Sequence, residues 1–320
     1  MEGASRLWEN VGRRAGTESR LMVVCDYSSA PVTVSAQAEV MLVDLHTHTN
    51  ASDGELTPHE LLALQAEAGV GLVAITDHDT LCGWDRVQGQ GQSVAATRIP
   101  RLLPGIEFSV EVGRREVHVL GLGFDPDHPV LRQAVCRQQL RRRERAERIA
   151  DRLEYLGVSG ALAGAEAAAG GAGIGRPHFA HFLVASGRVR SVDEAFRRYL
   201  GRGKPAACRV EWPPLHEVLG WIRAAGGSTV LAHPHAYRLS RSGLRALVAE
   251  FCAAGGDALE VAMPGLAAGE LEVLARLTRE ARLRASAGSD FHRRAGWNHP
   301  ARIPPLPPGL DALWEQWGHC

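Results

Sequence analysis

Lysine is nearly missing from this 320-residue chain: Lys204 is the only one, and arginine supplies the rest of its 36 basic residues. Together with the richness in alanine and glycine, that bias reads as base composition of a genome and points to no chemistry. An excess of charge of one sign is missing too, since 36 acidic residues balance the basic ones. No global field therefore draws the chain to nucleic acid or to an anionic membrane, and a charged partner must be recognised locally. Paired cysteine motifs are absent. Cys25, Cys82, Cys136, Cys208, Cys252 and Cys320 include no Cys-x-x-Cys, which argues against a zinc ribbon or disulfide framework and predicts a reducing compartment, by default the cytoplasm. No apolar run approaches the roughly 18 residues of a membrane span, and the N-terminus lacks the apolar core of a signal peptide. No obligate protein partner is evident.

What is present is alternation. Residues 1–40 are polar and read as an N-terminal extension, or as a mis-assigned start ahead of Met41; an ordered strand packed on the domain is the alternative. From 41 to about 124 short apolar strands (Leu42–Leu45, Gly71–Thr76, Leu102–Glu111, Glu116–Leu122) alternate with a helix over 58–68, opened by Thr57, Pro58 and Glu60. From 125 to 205 no strand signal occurs, and helices are predicted over Pro129–Leu156, Pro177–Ser186 and Val192–Leu200. Alternation resumes from 206 to 300 with strands Thr229–Ala232, Ala258–Ala262 and Arg284–Ala287 between helices Pro214–Ala225, Ser242–Ala254 and Ala267–Arg282. Residues 301–320, rich in proline, make an irregular wrap with a last short helix. The pattern predicts an α/β fold with a parallel sheet or barrel, interrupted by a small helical insertion.

The segment Asp44-Leu45-His46-Thr47-His48, followed by Asp53-Gly54, gathers potential metal ligands at one strand end. In an extended segment His46 and His48 point to one side, about 6–7 Å apart at Cα, close enough to grip one ion. Hydrogen-bonding histidines at a strand end are the alternative. Further clusters follow: Thr76-Asp77-His78-Asp79, Glu107 with nearby His118, Ala232-His233-Pro234 and Ser289-Asp290-Phe291-His292. In a parallel barrel the strand C-termini share one face, where active sites are built. Five such clusters at one address favour a multinuclear metal centre, and imidazole with carboxylate suits manganese, iron(II) or zinc better than calcium or magnesium. Asp44, Asp77 and Asp79 are candidates to orient ligating histidines, or else to cap turns. The arginine-rich helix 132–152 is either a solvated face or a basic lid over an oligonucleotide.

These motifs, from His46-Thr-His48 to Asp290-Phe291-His292, resemble the PHP (polymerase and histidinol phosphatase) family, and the resemblance covers residues 42 to about 293. It implies a distorted (β/α)7 TIM-like barrel carrying three divalent ions, with manganese expected. Carried over, one ion falls to His46, His48, Glu107 and Asp290; a second to Glu107, His118 and His233; a third to Asp53, His78 and His292. Arg176-Pro177-His178-Phe179-Ala180, Asp193-Glu194-Ala195-Phe196 and the segment Tyr199–Pro205 resemble the RNase AM-like branch. In that branch Arg176 and His178 would hold the substrate phosphate from the insertion. The implied activity is phosphate-ester hydrolysis by a hydroxide bridging two ions. The substrate would be a nucleoside 3′,5′-bisphosphate, losing its 3′-phosphate, or short RNA degraded 5′ to 3′. A phosphatase for a small metabolite such as histidinol phosphate, and a catalytically silent metal-binding barrel, are the competing readings. One departure stands out: His235 occupies a position where a small or non-liganding residue is expected.

Overall fold

The computed structural model describes residues 41–90 and 100–318. The expectations for residues 1–40 lie outside the described residues. Seven strands, β1 (Leu42–Asp44), β2 (Val70–Ile75), β3 (Arg101–Val112), β4 (Arg115–Leu122), β5 (Ser228–Leu231), β6 (Ala258–Ala262) and β7 (Arg284–Ala287), pair in chain order. The two ends of the sheet are tied by Leu45 N–H donating to Ala287 O, Asp290 N–H to His46 O and His48 N–H to Phe291 O, at 3.0, 2.8 and 2.9 Å. The strands thereby close into a barrel of the expected α/β type.

The sheet is not wholly parallel, as the alternation had predicted. β4 runs antiparallel to both β3 and β5. The reason is the connection: only Gly113 and Arg114 join β3 to β4, with Gly113 at φ 61. A two-residue turn makes a hairpin, whereas a parallel crossover needs a dozen residues or more. Nor do Glu107 and His118 end their strands; they sit inside the hairpin, on alternate pairs of its register, Glu107 opposite Leu120 and His118 opposite Ser109, with Phe108 and Val119 paired between them.

Helix α1 (Pro58–Glu67) starts where Thr57 and Glu60 predict it. The Thr57 hydroxyl accepts from Glu60 N–H at 3.3 Å and the Glu60 carboxylate accepts from Thr57 N–H at 2.9 Å. Helix α2 (Cys82–Gln90) was not anticipated, because Gly83 and Gly89 dilute its signal. Gly83 is required there: a Cβ would fall 2.1 Å from the Asp77 carboxylate.

Between β4 and β5 lie only helices up to residue 200: α3 (Pro129–Tyr155), α4 (Ala161–Ala169), α5 (Arg176–Ala185) and α6 (Val192–Ala195), which continues into a wide turn over Phe196–Leu200. Helices α7 (Leu215–Ala224), α8 (Arg241–Ala253) and α9 (Ala268–Ala281) then alternate with the last strands. The first half of α3 gives Leu131 and Ala134 to the apolar layer between sheet and helices, while Ala146, Ile149 and Leu153 join a second buried cluster with Phe179 and Leu183. One helix thus belongs to two cores, and from Met41 on the chain forms one compact unit. Phe179 is fully buried in the second cluster. Phe179→Ala should cost about 3–5 kcal/mol, and chemical denaturation should show one shifted transition. A separate early transition would mean that the helical block melts on its own.

Candidate metal centre

All nine residues singled out as ligands meet at one mouth of the barrel. His46, His48 and Asp53 follow β1, His78 follows β2, His233 follows β5, and Asp290 and His292 follow β7. Glu107 and His118 arrive from the hairpin, whose reversed second strand brings the early part of β4 to the mouth. His46, His48 and Glu107 are fully buried. The backbone is forced at several of these positions: His233 and Asp290 have φ of 31 and 52, and Asp79 beside the site also 52. Left-handed backbone at residues other than glycine is costly and collects at functional sites.

Glu107 is the hub. Its Oε1 lies 2.9 Å from His233 Nε2 and 3.0 Å from His118 Nδ1. Its Oε2 lies 3.0 Å from His78 Nδ1, 3.2 Å from His48 Nε2 and 3.4 Å from His46 Nε2. Asp290 Oδ1 faces the same Nε2 atoms of His46 and His48 at 3.4 and 3.3 Å. Asp53 closes the other side, with Oδ1 3.5 Å from His292 Nε2 and Oδ2 3.8 Å from His78 Nε2.

Hydrogen bonding does not account for this cluster. His46 Nε2, both nitrogens of His48, His78 Nδ1, Asp53 Oδ1 and Glu107 Oε2 are buried without a hydrogen-bond partner, and each such atom costs about 1–3 kcal/mol if left so. Four sets have ligand atoms all within 4.8 Å of one another: His46, His48 and Asp290; His46, Glu107 and His233; His78, Glu107 and His118; and His48, Asp53, His78 and His292. The donor set is nitrogen and oxygen without sulfur, which fits divalent first-row ions.

The electrostatics say the same. Burial would raise the Glu107 carboxyl, but His78, His118 and His46 around it outweigh burial and hold it well below the usual carboxylate range. Burial likewise opposes the charged forms of His118 and His292, yet Glu107 in one case and Asp290 with Asp53 in the other push both up to about 10. His78 goes the other way, to about 4, because burial dominates. The carboxylates demand positive charge, and a bound cation supplies it without protonating its own ligands.

Of the two readings of Asp44, Asp77 and Asp79, orienting the rings or capping turns, the first does not hold. Asp44 accepts from Gln65 Nε2 and from the Ser289 hydroxyl; Asp77 accepts from Thr49 and Ser52; Asp79 accepts from Gln138 and Arg142. None touches an imidazole, so these three hold the loops that carry the candidate ligands. The residue that steers a ring is Glu260, which the sequence reading missed. Its Oε1 and Oε2 lie 3.0 and 3.2 Å from His46 Nδ1, and Oε2 also accepts from His233 N–H at 2.6 Å. The available signal was a lone carboxylate inside the otherwise apolar strand Ala258–Ala262. Glu260→Gln should weaken metal affinity or activity about 10–100-fold; titrating turnover with manganese measures it, and unchanged half-saturation would refute the role.

Arg176 and His178 are the first and third residues of α5. Arg176 Nη2 lies 3.7 Å from Glu116 Oε1, and Glu116 in turn faces His118 Nε2 at 3.9 Å. His178 is buried, its Nδ1 accepts from Gly175 N–H at 2.9 Å, and burial lowers its pKa. A further hydrogen bond ties the ring to the backbone of Ser52. His235 belongs to none of the four ligand sets.

The α3 arginines divide unexpectedly. Arg142 and Arg145 are buried, Arg142 on Asp79 at 2.7 Å and Arg145 on Glu116 at 3.2 Å, while Arg132 and Arg143 pair with exposed carboxylates. Part of the run is neither solvated face nor lid, but the internal bracing of the site.

Comparison with known proteins agrees with this geometry. The 5′-3′ exoribonuclease Rnm of Escherichia coli (strain K12) is 40% identical over 87% of this chain and 94% of its own length. The 3′,5′-nucleoside bisphosphate phosphatase of Chromobacterium violaceum is 37% identical, over 86% and 95%. Among solved structures, an amidohydrolase from Chromobacterium violaceum with bound sulfate and no metal superposes with a TM-score of 0.78 at 36% identity, covering 86% of this chain and 95% of that one. The PHP domain profile matches residues 44–156. With its candidate ligand residues gathered at one barrel mouth and relatives of this closeness over nearly their full length, the chain belongs to the PHP family.

Proposed function

We propose that this chain is a metal-dependent phosphoesterase acting on nucleotides, as a 3′-phosphatase of nucleoside 3′,5′-bisphosphates, a 5′-to-3′ exoribonuclease on short RNA, or both at one site. The observation that carries it is the buried Glu107 carboxylate ringed by five imidazoles, with Arg176 one carboxylate away through Glu116. The names of the Escherichia coli and Chromobacterium violaceum relatives support the two substrate classes. We assign three ions, with manganese as the expected metal. The first is held by His46, His48, Glu107 and Asp290, the second by Glu107, His118 and His233, and the third by Asp53, His78 and His292.

Divalent ions bound there lower the pKa of a coordinated water and draw charge from phosphoryl oxygens. The chain's own residues do the rest. Glu260 holds the His46 ring so that Nε2 faces the centre. Arg176 offers a planar pair of donors to the phosphoryl oxygens, and His178, two residues on in the same helix, helps to orient the phosphate. No serine or cysteine nucleophile is needed. The helices between β4 and β5 serve as a cover that contributes Arg176 and His178, a role suited to a nucleotide more than to a small metabolite. Among the described residues no helix is long and apolar enough to cross a membrane, and Cys82, Cys136, Cys208 and Cys252 are free thiols, which supports a cytoplasmic location.

The test is a screen of the manganese-loaded protein against adenosine 3′,5′-bisphosphate, nucleoside monophosphates, short RNA and histidinol phosphate. Phosphate released from the bisphosphate, or mononucleotides from the RNA 5′ end, is the expected result. Turnover of histidinol phosphate far above any nucleotide would replace this reading.

A further inference from the structure

Among the described residues five large apolar side chains are exposed: Val130, Leu140, Tyr155, Leu156 and Trp297. The first four belong to α3 or to the residue that ends it. Trp297 is carried by the chain after β7, five residues beyond His292. At 55% exposure its indole contributes little to folding, because the hydrophobic gain scales with the area removed from water. The fold nevertheless holds it in place. The benzenoid part of the indole rests against Gly265 in the loop after β6: a Cβ built there would lie 2.8 Å from Trp297 Cε3 and 3.0 Å from Cζ3, and Gly265 has φ 76. The Trp297 carbonyl accepts from Arg302 Nη1 at 3.4 Å, and the side-chain amide of the next residue, Asn298, donates to Asp290 O. That same oxygen lies 2.8 Å from His292 Nδ1. An open indole is thus anchored, through its neighbour, to two candidate metal ligands.

Trp297 and Arg176 stand at different sides of the mouth. Glu116, which faces Arg176, lies on β4, and β4 and β7 are three strands apart, the most that a closed ring of seven allows. A phosphodiester centred on the candidate ligands has chain on both sides of its phosphorus. A terminal phosphate monoester has it on one.

We propose that Trp297 is a stacking platform for the nucleobase that follows the scissile phosphate in an RNA strand, and so a determinant of activity on RNA that activity on a mononucleotide does not need. The inference rests on the phosphoesterase reading above. An aromatic platform suits successive removal of nucleotides, since every base has a π-face and stacking tolerates any sequence. Arg293 and Arg294, exposed in the same loop, add charge for the backbone of such a strand. A nucleoside 3′,5′-bisphosphate carries no nucleotide beyond its 3′-phosphate and does not reach the indole.

The experiment measures kcat/KM of the manganese-loaded natural protein, Trp297→Ala and Trp297→Phe on three substrates: 5′-phosphorylated tetra-adenylate, the same strand with an abasic ribose as its second nucleotide, and adenosine 3′,5′-bisphosphate. Trp297→Ala should lose about ten- to a hundredfold on the intact strand and less than about twofold on the other two. Trp297→Phe keeps an aromatic face and should recover most of the loss. An equal loss on the abasic strand or on the bisphosphate would mean that Trp297 only steadies the loop of Asp290, and would overturn the platform while leaving the phosphoesterase standing. No loss on the intact strand, or turnover of the bisphosphate without turnover of RNA, would overturn it too. If none of the three is hydrolysed, the phosphoesterase reading fails and titration calorimetry of tetra-adenylate on the metal-free protein decides alone: binding to Trp297→Ala weaker by about tenfold supports the platform, and equal binding overturns it.

Discussion

Glu107→Gln is expected to abolish turnover, lowering kcat by about 10³-fold or more, in a protein that stays folded. The substitution is nearly isosteric, yet it removes the one charge that His46, His48, His78, His118 and His233 all face. The amide keeps the volume and supplies a weaker, neutral ligand. Metal catalysis of this kind contributes several kcal/mol of charge stabilisation, and each 1.36 kcal/mol is about tenfold in rate. Elemental analysis after gel filtration should show fewer bound ions per chain, and circular dichroism an unchanged fold. Full metal content with full activity would remove Glu107 from the centre.

A single methyl group at Gly288 should do almost as much damage. A Cβ there would lie 2.4 Å from His46 Cβ and 2.7 Å from Glu260 Oε1, closer than atoms can approach. Gly288→Ala must therefore displace the His46 ring, its supporting carboxylate, or the backbone after β7 that carries Asp290. Displacements approaching 1 Å cost about 10²-fold in rate, and overpacking costs about 1–3 kcal/mol in stability. Gly220→Ala provides the opposite sign. Gly220 lies within α7 with no atom within 4 Å of a Cβ built on it, so alanine there should stabilise by about 0.5–1 kcal/mol. Urea denaturation with kcat for both variants separates the effects. Normal kcat in Gly288→Ala would mean that the site tolerates movement of His46.

The candidate ligand residues were legible in the sequence because each reports on a local event. An apolar strand ends, polar side chains follow, and barrel closure gives several such ends one address. His46, His48, His78, His233, Asp290 and His292 follow that logic. Glu107 and His118 reach the same mouth by a different route, through a hairpin whose two-residue turn at Gly113 and Arg114 reverses β4. The helical stretch 129–155 was equally legible from its uninterrupted pattern, but the fate of its arginines was not. Arg142 and Arg145 look like Arg141 and Arg143 in sequence. The two buried ones differ only in which carboxylates, Asp79 and Glu116, the fold places against them.

What the sequence alone determined, then, is the set of groups that can bind metal and the α/β alternation that brings them together, since both depend on spacings of a few residues. What only the tertiary structure decided is which carboxylate serves which partner. Glu260 reaches His46 across 214 residues of chain, while the nearer Asp44, Asp77 and Asp79 turn to the loops. Strand register and the packing of α3 set those pairings, and neither is encoded in local spacing. Long-range hydrogen bonds are chosen by where the backbone finally runs, so they become readable only once it has closed into the barrel.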